Sequence, residues 1–157
     1  MTSRIHIGRA SRLLSITAMV ASLLTLAATA GASNATLRSS VNSWSRTVGV
    51  DAHSIALAAK NRHPRRMTSS ALRFRTDALH ARAAVARQRP STAGGKRART
   101  LVLTAFADYA AAGTGWAATG RARLRGDRAS AGRSARAAAI LARTGNKLLL
   151  TAGKLLH

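Results

Sequence analysis

Cysteine and glutamate are both missing from this 157-residue chain. The first absence removes disulfides, thiolate nucleophiles and cysteine zinc sites. It is neutral about compartment, since exported proteins often lack cysteine too. The second leaves only Asp51, Asp77, Asp108 and Asp127 as side-chain carboxylates. Proline occurs only at 64 and 90, and aromatic residues make up 3% of the chain. Valine, isoleucine, tyrosine and phenylalanine never alternate as they do along a half-buried strand, so strands are not expected.

What is present is alanine and positive charge. Alanine supplies much of the 46% hydrophobic fraction. It is the best helix former and adds little core volume, so helices should pack closely through small side chains. Lysine and arginine total 26, all but four of them arginine, giving a formal net charge of +22. Such an excess attracts almost any polyanion or anionic surface without selecting one.

The amino-terminal segment has the pattern of an export signal. Arg4, Arg9 and Arg12 form a basic stretch, followed by an uncharged run with Leu13, Leu14, Ile16, Met19, Val20, Leu23, Leu24 and Leu26. Small residues come next, and Ala30-Gly31-Ala32 fits the peptidase pattern, which places cleavage after Ala32. Residues 1–32 are therefore read as a signal peptide and residues 33–157 as the mature domain. Arg12 precedes Leu13, not a second arginine, so a twin-arginine route is not indicated. Three other readings stand beside this one. Residues 13–37 are uncharged for long enough to remain as an uncleaved membrane anchor. A mitochondrial transit peptide and an ordinary buried helix are the others.

Four helical segments are expected in an antiparallel, up-and-down four-helix bundle after the hydrophobic signal helix, an all-α fold. The first, over 36–60, carries Leu37, Val41, Trp44, Val48, Asp51 and Ile55 at three- and four-residue steps. It ends before Pro64, because the residue preceding proline is driven out of the helical region. The second, over 67–87, places Met67, Ala71, Leu72, Phe74, Ala78, Leu79, Val85 and Ala86 on one broad face. Pro90-Ser91-Thr92-Ala93-Gly94-Gly95 reads as a loop. The third, over 96–125, repeats Val102, Phe106, Tyr109, Gly113, Trp116 and Gly120, alternating rings with glycines that admit a close neighbour. The fourth begins at Gly126-Asp127, with Asp127 as N-cap. Its stripe runs through Ala131, Ala135, Ala138, Leu141, Ala142, Gly145, Leu148, Leu149, Ala152, Leu155 and Leu156.

Several chemistries fail on residue type. A di-iron bundle needs inward glutamates and Glu-x-x-His pairs, and only Asp77-Ala78-Leu79-His80 echoes one. His53, His63, His80 and His157 share no ligand spacing, so no metal and no cofactor are expected. Gly94-Gly95-Lys96 lacks the strand and the Ser/Thr of a phosphate loop. Zinc-finger, RNA-recognition and basic-zipper patterns are absent. Trp44, Phe74, Phe106, Tyr109 and Trp116 fit their stripes as core anchors. Each aspartate stands without a nucleophile or second carboxylate nearby in sequence, so no enzyme is expected. Asp51, with no basic residue one turn away, and Asp108, similarly placed beside Tyr109, are each expected to pair with an arginine of another helix.

The basic residues fall mostly off the apolar stripes and gather around the connections. Arg62, Arg65 and Arg66 lie at the first, Lys96, Arg97 and Arg99 after the second, and Arg121, Arg123, Arg125 and Arg128 about the third. These ten are the candidate polyanion-binding residues. The plainer reading is a solvated basic face. Residues 101–156, with alanine-rich helices, Trp116, Gly126-Asp127 and the ending Leu148-Leu149-Leu150-Thr151-Ala152-Gly153-Lys154-Leu155-Leu156, resemble uncharacterised exported helical proteins of high-GC actinobacteria. The resemblance covers about a third of the chain and is compositional. It implies a secreted or cell-envelope location and brings no activity and no site residues.

Three functions are consistent with these features. The first is an exported module binding an anionic envelope polymer or membrane surface. The second is a sequence-independent nucleic-acid binder. The third is a structural or assembly module without a polyanion ligand, associating through the Gly/Ala faces of its third and fourth helices.

Overall fold

The computed structural model describes residues 10–156, with side chains described from Ser33 onward. The described chain is all-helical. α1 spans Ala10–Lys60, α2 Pro64–Ala86, α3 Ala93–Leu124 and α4 Arg128–Leu155. The expected signal or anchor falls on residues 1–32, whose side chains lie outside this description, as does His157. Among the described residues no helix is long and apolar enough to cross a membrane.

Each helix packs antiparallel on the next. Trp44 meets His80 edge-on at 6.4 Å between ring centroids, and Asp51 meets Arg73, running α1 and α2 in opposite senses. α3 is the central helix, with α2 on one flank and α4 on the other. Phe74 of α2 stands edge-to-face between Tyr109 (5.8 Å) and Trp116 (5.3 Å) of α3. Such pairs add about 0.5–1.5 kcal/mol each beyond the area they bury.

Glycines set the spacing of both α3 seams. A Cβ at Gly113 would lie 2.9 Å from the Ala71 carbonyl oxygen of α2, and one at Gly115 2.9 Å from Ala138 Cβ of α4. Gly145 of α4 faces the Tyr109 ring, where a Cβ would come within 2.8 Å of Cε1. Gly113, Gly115 and Gly145 are thus occupied within the chain, whereas Gly153 of α4 has nothing within 4 Å of a built Cβ. α1 and α4 do not close on one another in the same way. A cleft of about 450 Å³ lies between them, lined by Val41, Leu149, Leu150 and Leu156 with Arg38 and Lys154.

Two expectations need correction. Leu72 and Leu79 are 42% and 40% exposed, and the buried face of α2 runs instead through Met67, Ser70, Ala71, Phe74, Ala78, Ala81 and Val85. Close approach to α3 selects small side chains, and the leucines are rotated off the seam. Ala93, Gly94 and Gly95 form the first turn of α3 and are not loop. Thr92 caps that turn, its hydroxyl accepting from the Gly95 N–H at 3.0 Å and from Asn34 Nδ2 at 2.9 Å. Asp127 caps α4 as expected, accepting from the Ser130 N–H at 2.9 Å.

The connections α1–α2 and α3–α4 lie at the same end and close by the same hydrogen-bond pattern. The His63 N–H donates to Ala58 O at 2.9 Å and the Arg62 N–H to Ala59 O at 3.3 Å. Correspondingly, the Asp127 N–H donates to Ala122 O at 3.0 Å and the Gly126 N–H to Arg123 O at 3.1 Å. This is the Schellman cap, which requires a left-handed residue just past the helix. Gly126 fills that place at φ 75° and Arg62 at φ 55°. Glycine tolerates the conformation, whereas an L-residue loses roughly 1–2 kcal/mol there.

Candidate polyanion-binding surface

Antiparallel order divides the ten candidate cations between two ends of the molecule. Seven belong to the end holding the paired Schellman turns. Arg62 sits in the α1–α2 connection, Arg65 and Arg66 in the first turn of α2, and Arg121 and Arg123 in the last turn of α3. Arg125 follows α3 as its C-cap and Arg128 opens α4. All seven are exposed. Lys96, Arg97 and Arg99 lie at the opposite end, in the first turns of α3.

The turn end carries a cleft of about 640 Å³ between the two connections, lined by Lys60, Arg62, Arg123 and Arg128 with Ala59, Pro64 and Gly126. Beside it, His63, Arg65, Arg66 and Leu124 border a second hollow of about 490 Å³. Lys60 was missed at the level of sequence, because the link between the C-terminus of α1 and the α3–α4 turn exists only once the helices are antiparallel. α1 and α3 end here while α2 and α4 begin here, so the helix dipoles offset one another. Attraction for anions at this end comes from the side chains.

At the opposite end the cations are partly engaged. Arg99 caps the C-terminus of α2, its Nη2 donating to Ala86 O at 2.5 Å and its Nε to Val85 O at 3.3 Å. Arg89 and Lys96 remain about a cleft of about 460 Å³.

Anions do little to offset this field. Among the described residues the one salt bridge joins Arg73 Nε to Asp51 Oδ1 at 2.6 Å. Asp127, the carboxylate of the α3–α4 turn, is held below the usual range by its hydrogen bonding with Ser130, with smaller pulls from Arg133 and Arg125. Asp108 departs from the expected cross-helix pairing: it is half-buried and makes no ion pair.

Asp51 and Asp77 correct the expectation that each aspartate stands without a second carboxylate. Register across α1 and α2 brings Asp77 close enough to Asp51 for the two carboxyls to influence one another. Burial raises Asp77 above the ordinary carboxylate range, the neighbouring Asp51 raises it further, and His80 and Arg73 pull the other way. Asp51 is almost fully buried, and its Oδ2 has no hydrogen-bond partner. Among the described residues no group of three or more metal-ligating side chains is assembled. Tyr109 is pushed up to about 12 by burial, and its hydroxyl donates to Asn146 Oδ1.

No protein-family model matches the chain, and no curated protein or solved structure compared with it does so either.

Proposed function

We propose that the chain is an exported, non-enzymatic module that binds anionic envelope material, either phosphorylated wall polymers or acidic lipid headgroups, in the secreted or cell-envelope compartment. The observation that carries this reading is the near absence of neutralising partners. A chain of +22 has one salt bridge among its described residues, and seven of its candidate cations stand exposed at one end. The signal pattern and the resemblance to exported helical proteins support the location.

Residues 33–157 should sediment with anionic vesicles and with wall fragments, stay in solution with neutral vesicles, and be released by salt as screening shortens the reach of each charge. Equal partition onto anionic and neutral surfaces would refute the reading. Tighter binding to duplex DNA than to either envelope material, with log affinity falling against log salt at a slope of about −0.9 per phosphate engaged, would favour a nucleic-acid binder instead.

A further inference from the structure

We propose that the cleft between the two Schellman turns is the phosphate-binding site of this molecule, and that Arg62 holds its left-handed conformation in the service of that site. The inference rests on the polyanion reading above and narrows it to one place and one ligand chemistry, the phosphodiester group.

Four separate segments each contribute one cation to the cleft. Lys60 comes from the end of α1, Arg62 from the first turn, Arg123 from the end of α3 and Arg128 from the start of α4. No carboxylate lines it, and none of the four is held by an ion pair. Three of them are arginines, whose planar forks match two phosphate oxygens at once. The volume of about 640 Å³ is large enough for more than one phosphate ester. The cleft at the opposite basic end is smaller, about 460 Å³, and has three cations, of which Arg99 is drawn onto the carbonyls that end α2.

Arg62 gives a second and independent line of argument. The two turns have the same hydrogen bonds, and the second uses glycine at the left-handed place. The first uses arginine, which folds less readily there. A residue kept where its backbone is disfavoured points to a role outside folding. Here that role is the fourth cation of the cleft.

The test uses the full chain and soluble probes: poly(glycerol phosphate), polyglutamate of equal charge and neutral dextran. Phosphatidylglycerol and phosphatidylcholine vesicles form the lipid arm. Arg62→Gly should raise the melting temperature by roughly 2–4 °C while weakening phosphate-probe binding about fivefold, the share of one cation near an anionic surface. Joint Arg123→Ser and Arg128→Ser should weaken it about 25-fold on the same basis. Joint Arg82→Ser and Arg136→Ser, removing equal charge from exposed helix faces, should change it less than about twofold if charge there is screened.

Preference for poly(glycerol phosphate) over phosphatidylglycerol vesicles would identify the phosphodiester as part of a polymer, and the reverse preference as a lipid headgroup. Equal losses from the cleft pair and the helix-face pair would overturn the site while leaving the polyanion reading intact. Polyglutamate binding as tightly as the phosphate polymer would overturn the phosphate assignment. A lower melting temperature for Arg62→Gly would overturn the role given to Arg62. Failure of the unaltered chain to prefer any anionic probe over dextran would remove the polyanion reading itself.

Discussion

Arg73 reaches from α2 to Asp51 on α1, its Nε 2.6 Å from Oδ1, and the two ends of this bridge live in different solvents. The Asp51 side chain is 5% exposed and the Arg73 side chain 59%. The buried carboxylate therefore depends on a cation that water also solvates, so the bridge is not worth a fully buried pair.

Removing either partner should then have unequal effects. Arg73→Met leaves Asp51 buried beside Asp77 without its cation and should destabilise by about 1–2 kcal/mol, the buried-pair figure discounted for the exposure of Arg73. Asp51→Asn frees an arginine that water can take up, and should cost about 1 kcal/mol or less. Urea midpoints of the two variants check the order. A larger loss for Asp51→Asn would contradict it.

Stability should pass through a maximum in mild acid. The folded state raises Asp77, so its favourable contribution is fully present below the unfolded value and is lost as pH rises through the folded one. Asp127 is lowered, so its contribution is present above the unfolded value and is lost as pH falls through the folded one. The unfolded reference for both is about 3.9. Acidification towards pH 4 therefore strengthens the α1–α2 seam through Asp77, and further acidification weakens the start of α4 through Asp127. Melting temperatures between pH 3 and 7 should show both limbs. Asp77→Asn should flatten the upper limb and Asp127→Asn the lower.

Two glycine substitutions should move stability in opposite directions. A Cβ at Gly113 would stand 2.9 Å from both Ala71 O and Arg75 Cβ, so Gly113→Ala should push α2 away and destabilise by about 1–3 kcal/mol. Gly49 lies within α1 with nothing inside 4 Å of a built Cβ. Gly49→Ala should stabilise by about 0.5–1 kcal/mol through helix propensity alone. Thermal melts of both variants against the parent chain suffice.

Export makes a prediction that does not depend on binding. The mature amino terminus, sequenced from the secreted or envelope fraction of the native host, should be Ser33. A chain recovered there with residues 1–32 intact would replace the signal by an anchor.

Periodic positions with large side chains were legible in the sequence. The α1 stripe from Leu37 to Ile55 and the α3 stripe from Val102 to Gly120 lie against the core as their spacing requires. α2 was harder, because hydrophobicity points to Leu72 and Leu79 while helix separation points to Ser70 and Ala81. Where backbones approach this closely, side-chain size decides the face. The need of Asp51 for a cross-helix arginine was readable too, but the identity of Arg73 was not. The approach of Asp77 was not readable either, since it depends on an axial register that no local pattern encodes. The basic clusters were visible as residues and not as a site. Their meeting follows from Pro64 and Gly126, which turn the chain back at one common end.

The unclosed side between α1 and α4 bears on how the molecule opens. α3 is gripped on both flanks and α4 is locked to it through Gly115 and Gly145, whereas α1 is docked mainly along α2. Under native conditions amide hydrogens of α1 should exchange through a partial detachment that leaves α2, α3 and α4 protected, so the last protons to leave belong to α3.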